Sequence, residues 1–298
     1  METEGTGTAI RFDKRMLENF AASLERSPHS VASYRKCLAY FFAYLSERGI
    51  TRPESGDIAA YREILSASGK KPGTVHSYLA AVKAFFRWAE AKGFYPDIAE
   101  KIVQPKVDHV PHRKTLTGAQ MKKVLDGIDR EDIRGKRDYA LLALMVTGGL
   151  ERLEVVQAQV GDLKMAQFGP VLQIRGGKGG SVKVPPRTWR ALLDYLEARG
   201  PLEENAPLFV SVSNRTQGQD QKKPLSVGSV SRIVKDALRN AGFDDVMLSA
   251  QSLRFTALKL ALQGGESLED VQKFARHRTI RTTFLYEQKP SPPVDSQE

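Results

Sequence analysis

Apolar residues recur three and four positions apart through most of the first hundred residues, and no other feature restricts the fold of this chain as much. Leu17, Phe20, Ala21 and Leu24 mark one run. Tyr34, Leu38, Phe41 and Leu45 mark a second, and Ile58, Tyr61 and Leu65 a third. Val75, Tyr78, Leu79, Val82, Phe85, Phe86 and Ala89 mark a fourth. Such spacing gives each helix a single apolar stripe. Ser27 before Pro28 reads as a helix start, and Gly49 and Gly93 read as stops. Four amphipathic helices on short turns can bury their stripes only against one another, which predicts a small all-α bundle over residues 12–100. Cys37 falls inside the second apolar pattern, where a core role is expected.

The period breaks at 101–114, a stretch with Pro105, Pro111, His109 and His112 among scattered charges. It reads as a linker. Thr117 and Gln120 then form a capping box before Met121, Val124, Leu125 and Ile128, and a second helix is expected from about Ile133 to Val146. VLQI, RGGKGG and SVKVP, from Val171 to Pro185, read as a strand, a glycine-rich turn and a strand. The glycine run lacks the spacing of a nucleotide-binding loop and leads into a strand instead of a helix. Further helices are expected near Trp189–Ala198 and Val227–Leu238, with a polar loop at 214–224 that carries Arg215. The fold class is therefore mainly α with a small β-sheet: the helical bundle, then an α+β domain over 115–288. A polar, proline-containing tail occupies 289–298.

The last stretch of that second domain carries the chemistry. Gln251 and Arg254 share a helix face, with Leu253, Ala257, Leu260 and Ala261 as apolar positions. Gly264 and Gly265 stop this helix. Ser267 and Asp270 cap the next, whose buried face is Leu268, Val271, Phe274 and Ala275. Arg276, His277 and Arg278 follow, and Tyr286 stands nine residues after His277. A guanidinium, an imidazole and a phenol on short packed helices can converge on one phosphate: the first two hold its oxygens and the third attacks. Surface Arg and His are usually solvated, however, and a lone Tyr usually packs with its hydroxyl at the rim. Spacing alone leaves both readings open.

Composition narrows the partner. The 298 residues carry a formal net charge of +10. This suits a polyanion, since cations placed on phosphates release counterions. One cysteine excludes an internal disulfide and fits a reducing cytosol. The apolar run Tyr139–Val146 is too short to span a bilayer, and no signal-peptide pattern is present. A cytoplasmic protein without membrane association is expected.

The motifs SLRFTA, GGESLEDVQKFARH and TTFLYE match, in order and spacing, the C-terminal half of the tyrosine recombinases (phage integrases and Xer-like proteins). TGGLERLEVVQAQVGDL resembles the first motif of that family, anchored on Glu154 and Asp162. The N-terminal bundle is similar to the family's core-binding, SAM-like domain, one half of a clamp around DNA. The resemblance implies a site-specific recombinase or integrase, associated with mobile genetic elements, that cleaves DNA through a 3′-phosphotyrosyl intermediate. It implies catalytic roles for Tyr286, Arg254, His277 and Lys178, with Lys183 an alternative to Lys178. It implies double-stranded DNA as partner, a tetrameric synapse of like subunits or a partner recombinase, and neither metal nor cofactor. Arg35, Lys36, Lys83, Arg87 and Arg215 are candidate DNA contacts.

Two positions depart from the family pattern. Gln251 stands where the motif has His, and Glu151 stands where it has its first catalytic Arg, with Arg152 as neighbour. One helical residue is a turn of about 100°, so Arg152 is expected to point elsewhere. At about 4 Å and an effective dielectric near 20, a unit charge pair is worth roughly 4 kcal/mol. A carboxylate at 151 therefore predicts impaired cleavage. The alternative function is a recombinase-fold DNA-binding accessory or regulator without strand exchange. A third is a topoisomerase-like nicking enzyme.

Overall fold

The computed structural model describes residues 12–107, 114–176, 179–212 and 223–287. The chain divides into two compact units, Met1–His109 and Val110–Glu298.

The first unit is the expected helical bundle. Its helices are α1 (Lys14–Ala22), α2 (Pro28–Glu47), α3 (Ser55–Ala67) and α4 (Pro72–Ala91). Their starts are set by local chemistry. Asp13 Oδ1 accepts the N–H of Met16 at 3.0 Å, and Ser27 Oγ accepts that of Ser30 at 3.2 Å. Pro28 and Pro72 occupy first-turn positions, where a missing N–H costs nothing. The stripes meet in an aromatic core. Phe20 and Phe85 pack edge to face at 5.6 Å, as do Phe41 and Phe86 at 6.0 Å. Such pairs add about 0.5–1.5 kcal/mol each beyond burial. Cys37 is buried here.

The start of the segment read as a linker is fastened to this unit. Lys83 Nζ donates to the carbonyls of Glu100 (2.8 Å) and Ile102 (2.9 Å), and His76 Nδ1 lies 3.2 Å from Pro105 O. His109 and His112 lie outside the described residues.

The second unit opens with α5 (Gly118–Asp126), whose capping box is the expected one: Thr117 and Gln120 exchange side-chain to backbone bonds at 2.9 and 3.2 Å. Next comes α6 (Ile133–Gly148), where every residue from Tyr139 to Met145 is buried. A helix apolar all round belongs at the centre of a domain. It ends at Gly149, φ 55°, where an alanine Cβ would lie 3.1 Å from the Phe274 ring.

A short α7 (Arg152–Gln157) and a 3-10 turn (Val160–Asp162) lead into three strands: β1 (Leu163–Ala166), β2 (Gly169–Gln173) and β3 (Ser181–Lys183). They form one antiparallel sheet in the order β1-β2-β3, with Leu172 opposite Val182. Both of those side chains are buried. The sequence pattern foresees the β2–β3 hairpin; β1 is an addition. Then follow α8 (Pro186–Arg199), α9 (Val227–Asn240), α10 (Ala250–Gln263), α11 (Leu268–Ala275) and α12 (Ile280–Glu287). Among the described residues no helix is long and apolar enough to cross a membrane.

Candidate active site

The first half of α10 is buried on nearly every side, because it runs through the second unit between α6, α11 and α12. Arg254 therefore projects into protein, with 7% of its side chain exposed. Its Nη1 donates to Gly149 O at 2.5 Å, and its Nη2 donates to the carbonyl of Ala275. Burial lowers the guanidinium pKa, and the nearby Glu151 carboxylate opposes that shift.

Tyr286, on α12, packs between two rings. Phe255 meets it edge-on at 4.9 Å, and His277 stacks on it at 5.5 Å with the planes 23° apart. Burial pushes its phenol up to about 12; the Arg254 charge pulls it down and the Glu151 charge adds to the rise. The His277 ring is also held at its edge, with Nδ1 3.0 Å from the hydroxyl oxygen of buried Thr283. Tyr286, Arg254 and His277 are thus brought together as the spacing suggests.

Glu151 belongs to the same cluster. It precedes α7, and its N–H donates to Glu154 Oε2 at 2.7 Å. Its own carboxylate, 60% exposed, lies 3.5 Å from Arg254 Nη2. Arg152 turns away as expected, donating from Nη1 to Ser231 Oγ on α9 at 2.7 Å. Gln251 is exposed on the first turn of α10, one turn before Arg254. Lys178 lies outside the described residues. Lys183 is exposed on β3, next to the inward-facing Val182 and hence on the opposite face of the strand. Gly179, Gly180 and Ser181 line a cleft of about 580 Å³ together with Gln272, Arg276 and His277.

Three residues of the cluster had no assigned role from sequence. Thr283 lies inside TTFLYE, and its spacing of six from His277 was the available signal. Glu154 served only as a motif anchor; it makes a two-pronged ion pair with Arg276, Nε–Oε1 2.8 Å and Nη2–Oε2 2.6 Å. Arg276 stands in the sequence only as a neighbour of His277, and its side chain is 9% exposed. Asp162, the other anchor, is buried and bonds Arg175 Nε at 2.5 Å, so it braces the end of β2.

Of the candidate DNA contacts, Arg35 pairs with Glu18 at 2.8 Å and Lys83 is engaged by carbonyls. Lys36 and Arg87 are exposed, and Arg215 lies outside the described residues. Among the described residues no group of three or more His, Cys, Asp or Glu could hold a metal ion.

A guanidinium on α10, an imidazole in the turn between α11 and α12 and a phenol on α12 form a site suited to attack on a phosphate diester. The model of the Phage integrase family matches residues 114–291, and that of its N-terminal SAM-like domain matches residues 16–93. The chain therefore belongs to the tyrosine recombinase (phage integrase) family. It is 27% identical over 281 residues to a tyrosine recombinase of Synechocystis sp., covering 88% of this chain and 87% of that one. It is 28% identical to the tyrosine recombinase XerD of Listeria innocua, covering 87% and 88% of the two chains. Solved structures share the fold. XerH site-specific recombinase bound to difH substrate aligns with a TM-score of 0.70 at 18% identity, over 92% of this chain and 91% of that one. A lambda integrase dimer bound to a COC′ core site aligns with a TM-score of 0.70 at 16% identity, over 95% and 98%.

Proposed function

We propose that this protein binds duplex DNA and acts in site-specific recombination through Tyr286, at a rate held down by Glu151. The observation that carries the reading is the seat of Tyr286, stacked on His277 in a cluster with Arg254. The phenolic oxygen attacks a DNA phosphorus, and the bond from phosphorus to the 5′ oxygen breaks. A 3′-phosphotyrosyl link and a free 5′-hydroxyl result. A hydroxyl from another strand reverses the step, so the link conserves the bond energy and needs no high-energy cofactor. Arg254 and His277 stabilise the charge gathered on the phosphate, and Lys178, which precedes Gly179 in the sequence, protonates the leaving oxygen. The work is done in the cytoplasm by several copies on DNA, or with a partner recombinase. A structural neighbour, a lambda integrase tetramer bound to a Holliday junction, supports such an assembly.

A second reading has its own support: a DNA-binding accessory protein without strand exchange. The carboxylate of Glu151 lies 3.5 Å from Arg254, the guanidinium that would hold a phosphate oxygen, and this supports the accessory reading.

Incubation with nicked duplex from the flanks of its own gene separates the two. A covalent adduct that disappears in Tyr286→Phe, with DNA binding retained, supports cleavage. Binding without adduct supports the accessory role. Recombinant rather than merely relaxed product separates recombination from topoisomerase-like nicking.

A further inference from the structure

Arg276 is the one residue other than glycine with a left-handed backbone among the described residues, φ 57°. An L-residue with a side chain adopts that conformation at a steric cost that glycine escapes. The contacts of the side chain offset it. The guanidinium folds back over the end of α11 and reaches two other parts of the unit. It forms the two-pronged pair with Glu154. It also donates to Phe274 O (2.8 Å), Gly148 O (3.4 Å) and Gly149 O (3.1 Å).

Two of these partners are shared with the site. Glu154 Oε2 also accepts the N–H of Glu151, so Arg276 steadies the first turn of α7. Gly149 O also accepts Nη1 of Arg254, so the two guanidinium groups hold one carbonyl between them. His277 comes next in the chain, and its N–H closes the same turn on Gln272 O at 3.0 Å.

We propose that Arg276 is a positioning residue of the phosphate site, joining the ends of α6, α7 and α11 into one frame that holds Arg254 and the His277 ring against Tyr286. It touches no reacting atom. The catalytic part of this inference rests on the reading of Tyr286 as nucleophile; the positioning of the Tyr286 ring does not.

Glycine is the informative replacement, since it accepts the left-handed turn freely and removes the whole side chain without adding backbone strain. Arg276→Lys keeps a charge, but one ammonium cannot reproduce the paired contact with Glu154. The first measurement places 3-fluorotyrosine at position 286 in the full chain and follows its fluorine resonance against pH. In Arg276→Gly the midpoint is expected to fall toward the ordinary tyrosine range as the ring loosens, with Arg276→Lys in between. An unchanged midpoint in both variants overturns the proposal, and if the glycine variant fails to fold, the lysine variant carries the comparison. The second measurement adds each change to Glu151→Arg and times adduct formation on saturating nicked duplex. A loss of roughly tenfold to a hundredfold is expected, with the half-saturating DNA concentration unchanged. Equal rates overturn the proposal. If Glu151→Arg forms no adduct while the fluorine midpoint still moves, the nucleophile reading fails and the positioning role stands.

Discussion

Residue 151 faces the buried arginine of the site, and its charge has the wrong sign for a phosphate. Replacing it with arginine removes a repulsion and adds an attraction. Glu151→Arg is expected to raise adduct formation at least about a hundredfold, the scale of one oxyanion-stabilising group. Glu151→Ala should recover only part of that gain; a brisk adduct from the unmodified protein would contradict both statements. Tyr286 makes a prediction about pH. Its phenol is raised to about 12, so between the ordinary value of 10 and 12 the folded chain holds a proton that the unfolded chain has released. Stability must then fall as pH rises through that window. Tyr61, Tyr78, Tyr95 and Tyr195 are raised as well, so the share of Tyr286 is the difference between parent and Tyr286→Phe in urea melts over that window. Much of this site was legible in the sequence, because the motifs that resemble the family's single out Glu151, Arg254, His277 and Tyr286 without any coordinates. The role of Arg276 was not. Next to a histidine and another arginine it looks like surface charge, and only its left-handed backbone turns the side chain inward.

Among the elements, those with a strong period matched expectation and those decided by tertiary packing did not. The four N-terminal helices and α11 announce themselves through stripes and caps. The strand β1 does not, because four residues with one partly buried position leave no alternation to read. It exists because β2 offers it a pairing edge, with Leu163 opposite Leu172. The helix α10 shows the reverse effect. Its sequence suggests one apolar face, but Ser252, Arg254 and Thr256 are buried as well, since neighbours cover its first half on nearly every side. The junction of α6 with α7 tests this packing. Gly149→Ala puts a side chain into a left-handed turn and 3.1 Å from the Phe274 ring. A loss of about 1–2 kcal/mol from the backbone alone is expected in urea melts, and more if the ring cannot yield. A loss below about 0.5 kcal/mol would mean that the turn readjusts at little cost.

At the level of the whole chain, two units and a net charge of +10 carry the DNA reading independently of the catalytic residues. Affinity for duplex should fall steeply with salt, with a log–log slope of about −0.9 for each phosphate contacted, and should be the same in Tyr286→Phe. A filter-binding titration with no salt dependence on any duplex would remove every nucleic-acid function at once. The division into two units was legible from the loss of period after residue 100, whereas the hold of Lys83 on the segment that follows was not, since a lysine on a helix face reads as solvated. The carbonyls that hold Arg254 belong to Gly149 and Ala275, the C-terminal ends of α6 and α11. Aligned peptide dipoles place roughly half a negative charge at such an end. Two of them together come to about the charge of one carboxylate. Backbone therefore supplies about one unit of the charge that Arg254 meets, and Glu151, 60% exposed, adds only a solvent-screened share. Glu151→Ala should accordingly change the unfolding free energy by no more than about 0.5 kcal/mol, as at an ordinary surface position. In Arg254→Met both helix ends would face an apolar side chain, and the loss should reach about 3 kcal/mol or more.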